Sequence, residues 1–343
     1  MPTIPRSIVT PVTLFLATIL VTLSGCAHTD RYGSPPVGAE PERAFRVTYV
    51  ATLSELKPGA ELDLWIPVPH DDAQQRITRL DWSGPLDGVK RSDPVHGNTM
   101  LHFSGAVTSP TMDFTVTYEV DRFRYAVDLQ AFAVDAPESA TWDLYLEPSS
   151  LAFANAQVEM EAATLNTGEA GTLAQGRRFY DHVLSSMSYD KQHSGWGRGS
   201  IEHACSVGKG NCTDFHSYFT ALCLARGIPS RFQIGIYGKY DVVEGEYETG
   251  GYHCWAEFHV PGRGWVPVDI SEADKDPAQA EFFFGSHTSN RVTLSTGRDL
   301  ILAPPQAGPP LNFFIYPYAE VNGVPVPKEQ VRKVSRWKDL PPS

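Results

Sequence analysis

The sequence predicts an α+β chain: a β-sandwich over residues 44–150, then a domain over 151–330 built from a buried helix packed on an antiparallel sheet. Three observations predict it. Residues 45–146 hold short runs that alternate apolar and polar positions, with turn residues between them, which is the period of strands with one buried face. The stretch Gly208–Arg226, GKGNCTDFHSYFTALCLAR, changes to helical spacing. Then GYHCWAEFHVPGRGWVPVDIS reads as two strands joined by a tight turn.

The chain has 343 residues, with 28 Lys plus Arg against 40 Asp plus Glu. Its formal charge of −12 argues against nucleic acid and against charge-driven docking on anionic lipid. The first residues, MPTIPRSIVTPVTLFLATILVTLSGCAH, place Arg6 before an apolar run too short and too rich in threonine to span a membrane comfortably. Leu23-Ser24-Gly25-Cys26 resembles the lipobox of bacterial lipoproteins. That likeness implies cleavage of residues 1–25 and acylation of Cys26. An ordinary cleaved signal peptide is the alternative. Cleavage removes one charged residue, Arg6, so −12 becomes −13. Attachment to a membrane would then come from the lipid alone, on a face turned to the periplasm or the exterior. Ala27 after the cysteine favours the inner leaflet of an outer membrane, where the organism has one. Residues 26–43, rich in Pro, Gly and charge, read as a flexible tether.

In the sandwich, FRVTYVATL, ELDLWIPVP, MLHFSG and MDFTVTYEVDRFRYAV supply the strands. His70, Asp71 and Asp72 follow VPVP and read as a solvated loop, not a metal site. Residues 147–171 include a helix, LAFANAQVEMEAATLNTG. A second helix runs from Leu173 to Met187, with Phe179, Tyr180, Val183 and Leu184 on its apolar stripe. Residues 188–209 are rich in loop formers.

The helix that follows is the chemical centre. Asn211 is a good N-cap, Cys212 takes the first helical position, and Asp214 stands where a capping box places its acid. Gly227 and Pro229 stop the helix. A cysteine at a helix N-terminus sits at the positive end of the dipole, which favours thiolate. A thiolate attacks carbonyl carbon and needs a base. Phe232, Ile234 and Ile236 then alternate inward as a core strand. Residues 241–251, DVVEGEYETGG, form either a lip over the site or a solvated hairpin loop. In the strand pair, a loop of three residues, Pro261 to Arg263, sets Val260 opposite Gly264 and His259 opposite Trp265. His253 and Asp269 then become diagonal neighbours on one face, roughly 7–8 Å apart along the backbone. A four-residue loop would put them on opposite faces. Glu257 and His259 share the face of His253 and read as partly exposed polar positions. His216, one turn beyond Cys212, is a weaker candidate base.

Together Gly-Asn-Cys-Thr-Asp-Phe-His, Tyr-His-Cys-Trp-Ala-Glu-Phe and Gly-Trp-Val-Pro-Val-Asp resemble the transglutaminase-like superfamily, over roughly residues 170–290. The resemblance implies a papain-like core with Cys212 as nucleophile, His253 as base and Asp269 as the group that orients it. LDLWIPVP resembles the domain that precedes this core in bacterial relatives, and RVTLSTGRDLIL the segment that follows it. Some family members donate a hydrogen bond to the oxyanion from a tryptophan upstream of the cysteine. Trp196 in Gly-Trp-Gly-Arg-Gly is that candidate here, beside the Cys212 backbone N–H, which a helix N-terminus supplies already oriented. Residues 286–327 read as an extension of the catalytic domain, and residues 331–343 as a charged tail.

Five cysteines are present. With Cys26 acylated and Cys212 free, Cys205, Cys223 and Cys254 allow at most one bridge. Cys223 should be buried and inert, and Cys254 should point away from His253 towards the core. Cys205–Cys254 and Cys205–Cys212 bridges are both conceivable. The Cys and His spacings match no zinc pattern, Asp274 and Asp276 are too sparse for calcium, and no organic cofactor or metal is expected. The expected activity is acyl transfer from protein or peptide amides through a thioester, resolved by water (protease or amidase) or by an amine (transglutaminase). The alternative is an inactive, lipid-anchored envelope scaffold whose sandwich binds a partner.

Overall fold

The computed structural model describes residues 33–35, 38–130, 142–166 and 171–341. The leader and the lipidation candidate Cys26 lie outside the described residues, as does half of the tether.

The sandwich forms as its alternation demands. Strand β1 (Arg43–Leu53) lies between β6 (Met112–Arg122) and β18 (Val331–Leu340), with β3 (Gln75–Ser83) outside β6 and β11 (Glu246–Glu248) outside β18. Phe45, Val47, Tyr49, Ala51 and Leu53 fall on one face of β1 and are all fully buried. In the facing sheet, β2 (Glu61–Pro67) pairs with β5 (Thr99–Ala106) and β16 (Tyr318–Val321); β4 (Gly88–Ser92) and β17 (Val324–Pro325) form its edges. Leu62, Leu64, Ile66, Leu101 and Phe103 are its inward face. Each such side chain contributes roughly 1.5–3 kcal/mol on burial.

Residues 331–340 differ from the tail expected of them. VRKVSRWKDL is a ten-residue strand paired along the whole of β1. Its charges alternate because Arg332, Arg336 and Lys338 take the outward positions, while Trp337 is fully buried and stacks on Phe45 with ring centroids 3.7 Å apart. The segment before it also divides. Strand β15 (Arg291–Thr296) joins the sheet beneath the buried helix, whereas β16 and β17 return to the sandwich.

The second sheet runs β13 (Gly264–Val268), β12 (His253–Val260), β10 (Ser230–Tyr237), β15, antiparallel throughout. One face carries α4 (Cys212–Ala225), surrounded by α1 (Ala156–Thr164), α2 (Gly171–Ser186) and α3 (Ile201–Val207). Phe219 of α4 meets Phe258 of β12 edge to face at 5.7 Å. Ile234, Ile236, Val292 and Leu294 belong to the same apolar cluster as the sandwich interior, so the two layers share a core.

All eight residues of β12 are buried, which corrects the partly exposed placement of Glu257 and His259. Glu257 pairs with the buried Arg231, whose guanidinium lies 4.2 Å from the Trp265 ring centroid. His259 packs between Trp142 and Trp265. Segments distant in sequence cover this face, and strand parity cannot reveal such a cover. The loop at His70 is likewise only half solvated: Asp72 is buried, its Oδ1 accepts from the amides of Gln74 and Gln75, and burial pushes its carboxyl up to about 6.

Candidate active site

Helix α4 opens as its sequence requires. The Asn211 side chain accepts from Thr213 N at 2.9 Å, and Asp214 Oδ2 accepts from Asn211 N at 2.9 Å, completing the capping box. Asp214 does more than cap. Its two oxygens also accept from Gly197 N at 2.6 Å and Gly199 N at 2.9 Å, which ties the loop carrying Trp196 to the start of the helix. Gly210 makes room for this: a Cβ there would lie 2.3 Å from Asp214 Oδ2.

Cys212 thus stands at the first helical position, nearly fully buried at 2% exposure, where amide N–H groups have no intrahelical acceptor. The expected three-residue hairpin loop is present, with Val260 opposite Gly264 and His259 opposite Trp265. The strand ends one residue before Asp269, which becomes the N-cap of α5 (Ile270–Lys275). His253 and Asp269 meet as expected, with Nε2 2.8 Å from Oδ2. Cys212 and His253 line one cleft, and His253 is among the groups that hold the Cys212 thiol down. With Nε2 given to Asp269, that leaves Nδ1 for the sulfur.

The charges follow from these contacts. Burial alone would push the Cys212 thiol up, but hydrogen bonds to Cys254 and His253 and the His253 charge hold it well below the usual thiol range. Burial would push His253 down, yet the Asp269 carboxylate and its hydrogen bond raise it to about 9. Burial would raise Asp269 too, but His253 and Arg291 keep it well below the carboxylate range. Both shifts run towards a thiolate–imidazolium pair.

Arg291 was not singled out from the sequence. It is fully buried, donates from Nη1 to Asp269 Oδ2 at 2.9 Å, and lies 4.9 Å from the Trp255 ring centroid. His216 has a different role from that of a spare base. Its Nδ1–H donates to the Cys212 carbonyl at 2.7 Å, and its Nε2 accepts from Ile270 N–H at 3.1 Å. Burial lowers it to about 4, so it is a neutral brace between α4 and α5. The only sign in the sequence was its place one turn beyond Cys212.

A cleft of about 430 Å³ opens over Cys212 and His253. Tyr189, Trp196, Tyr237, Tyr252 and Tyr316 wall it, and Gly250 and Gly251 border it at the end of the acidic 241–251 segment. Trp196 is on this wall, with the Lys191 ammonium 5.9 Å from its ring. Among the described residues, Cys205, Cys212, Cys223 and Cys254 are all free thiols, so neither conceivable bridge is formed. Cys223 is buried, and burial pushes its thiol well up. His253, Asp269 and Glu272 bring possible ligand atoms within 4.8 Å of one another. Arg291 on Asp269, and Lys275 at 2.5 Å from Glu272, already bring positive charge to both carboxylates.

Residues 160–270 match the sequence model of the transglutaminase-like superfamily. The chain is 27% identical over 341 residues to an uncharacterised protein of Haemophilus influenzae, covering 83% of this chain and 88% of that one. A candidate cysteine protease from Cytophaga hutchinsonii shares the fold, with a TM-score of 0.60 and 15% identity over 87% of this chain and 91% of the other. The periplasmic domain of TgpA from Pseudomonas aeruginosa gives a TM-score of 0.36 at 15% identity over 70% and 93%, a likeness too slight to argue from. Over residues 160–270, then, the chain is similar to the transglutaminase-like superfamily.

Proposed function

We propose that this protein is a cysteine-dependent acyl-transfer enzyme acting on protein or peptide amides, with Cys212 as nucleophile, His253 as acid and base, and Asp269 as the orienting carboxylate. One observation carries this reading: the His253 ring, bonded to Asp269, shares the buried floor of an open cleft with Cys212.

Starting from the ion pair, the Cys212 sulfur attacks the carbonyl carbon, and the carbonyl electrons move onto oxygen. The Cys212 backbone N–H, at the positive end of α4, is the natural donor to that oxyanion, with Trp196 as a second candidate on the facing wall. Nδ1 of His253 gives its proton to the leaving amine, and a thioester remains. Water or an amine then attacks, and His253 takes the incoming proton. Water is the first acceptor to assay, because a cross-linking enzyme needs an organised amine site.

Iodoacetamide labelling of each thiol, followed by mass spectrometry across pH, tests the reading. Cys212 should label fast well below pH 8, and His253→Ala should slow it at neutral pH. Peptide release from a denatured protein substrate should fall at least about 100-fold in the same variant. A Cys212 that labels no faster than an ordinary thiol would sink the mechanism.

A further inference from the structure

Asp214 takes two amides of the Trp196 loop, and a second pair of residues takes two of its carbonyls. Arg298 follows the end of β15, and its guanidinium is a rigid fork of donors. Nη1 donates to the Gly199 carbonyl at 3.1 Å and to Ser217 Oγ on α4, and Nη2 donates to the Arg198 carbonyl at 2.8 Å. Nε donates to Asn312 Oδ1 at 2.9 Å, and Asn312 Nδ2 donates to the same Arg198 carbonyl at 2.8 Å. The loop is shaped to this fork. Gly199 has φ +64°, where a side chain is strained, and a Cβ on it would lie 2.7 Å from Arg298 Nη1. The segment that carries Asn312 also supports the next wall of the cleft, because Phe313 packs on Tyr252 with ring centroids 5.7 Å apart.

We propose that Arg298 and Asn312 are positioning residues for the cleft wall that carries Trp196, tying it to the helix of the nucleophile by holding the carbonyls of Arg198 and Gly199. The proposal rests on Cys212 being the nucleophile and on Trp196 acting from the facing wall. Trp196 is 37% exposed, so its ring is placed by its backbone more than by a surrounding core. That backbone runs between Gly195 and Gly197, the residues that restrict it least. The constraint comes from hydrogen bonds at positions 197 to 199: two amides to Asp214, two carbonyls to Arg298 and Asn312. Asp214 belongs to α4, and Arg298 reaches α4 through Ser217, so both clamps set the spacing of Trp196 from Cys212. Arg298 itself lines a different cavity, with Ser230 and Asp299, and acts on the cleft through the loop.

The test places Arg298→Gln and Asn312→Ala in the full chain, alone and combined with Trp196→Phe, with thermal melts to confirm folding. The position of Trp196 is read by fluorine NMR on protein labelled with 5-fluorotryptophan. The chain has seven tryptophans, and the Trp196 signal is the one that Trp196→Phe removes. That signal should shift in both single variants. Peptide release from heat-denatured casein should fall about 10- to 100-fold in Arg298→Gln, the scale on which a misplaced group slows a reaction. The pH midpoint of Cys212 alkylation should stay at its wild-type value. In the Trp196→Phe background the same substitution should cost less than about twofold, because it acts through a residue already removed. An unmoved Trp196 signal in Arg298→Gln overturns the proposal. So does a cost that persists undiminished in the Trp196→Phe background, or a Trp196→Phe enzyme that releases peptide at the wild-type rate. Should Arg298→Gln not fold, Asn312→Ala decides by the same signal and the same cycle. A wild-type chain that releases no peptide and whose Cys212 alkylates like an ordinary thiol would remove the nucleophile reading instead, and the Trp196 signal alone would then decide whether the clamp exists.

Discussion

Arg291 offers a direct measure of how the site sets its charges. Its Nη1 and the His253 Nε2 bind the same oxygen, Asp269 Oδ2, at 2.9 and 2.8 Å. Laid end to end, those two bonds keep the nitrogens within about 5.7 Å of each other. Two unit charges at that distance repel by about 3 kcal/mol at an effective dielectric of 20, which equals about two pKa units. Arg291→Met keeps a long apolar stem against Trp255 and deletes the charge. Relieved of that repulsion, and with Asp269 no longer shared, the His253 imidazolium should become harder to deprotonate. Its midpoint should climb above its present value of about 9, by up to about two units. Long-range proton–nitrogen NMR on the imidazole ring reads the titration, and the alkaline limb of any activity profile should follow it. Arg291→Lys keeps the charge without the fork and should leave the midpoint near that of the wild type. A midpoint that falls in Arg291→Met, or that moves as far in Arg291→Lys, would refute the charge argument and leave Arg291 a packing residue.

Asp214→Asn should cost about 2–4 kcal/mol in urea unfolding, because the oxygen shared by Gly197 N and Asn211 N becomes an amide facing two donors, or turns away from them. Hydrogen exchange at Gly197 and Gly199 should quicken in that variant; unchanged exchange would show that the Trp196 loop is held by something else. His216 predicts acid instability. Its folded value is about 4, below the ordinary 6.5, so the unfolded chain binds the proton first. The stability it supports is complete above pH 6.5 and is lost as pH falls towards 4, up to about 3 kcal/mol. His216→Gln should flatten that part of the stability curve, and an equally steep curve would assign the loss to other groups.

The parts of the site that were legible in the sequence are those made by short spacings. Asn211, Cys212 and Asp214 define a helix start within four residues. The Pro261–Arg263 loop fixes which face Asp269 meets, even though Asp269 proved to cap α5 rather than continue a strand. What remained hidden arrives over long distances in sequence. Arg291 reaches Asp269 only because β15 lies beside β10, and no local pattern marks a buried arginine on a core strand. Glu257 and His259 look half exposed by parity until Trp142 and Arg231 close over them. The last strand was hidden by its own chemistry: a strand whose outer face carries Arg332, Arg336 and Lys338 reads as a charged tail unless Trp337 is given a partner, and that partner is Phe45 at the opposite end of the chain.

Asp269 shows why residue type alone could not assign the two histidines. Both lie near its carboxylate and both are buried, yet one rises to about 9 and the other falls to about 4. The difference lies in what else each ring holds. His253 gives one nitrogen to Asp269 at 2.8 Å and turns the other to a thiol that can ionise, so protonation creates two favourable ion contacts at once. His216 is 3.9 Å from the carboxylate, and its Nε2 already accepts an amide N–H from Ile270. Protonating that nitrogen would set a donor against a donor within a dry interior. The backbone amide therefore keeps His216 neutral, and it does so from the first residue of the helix that Asp269 caps. The element that positions the orienting carboxylate also prevents the histidine on α4 from competing with His253 for that carboxylate.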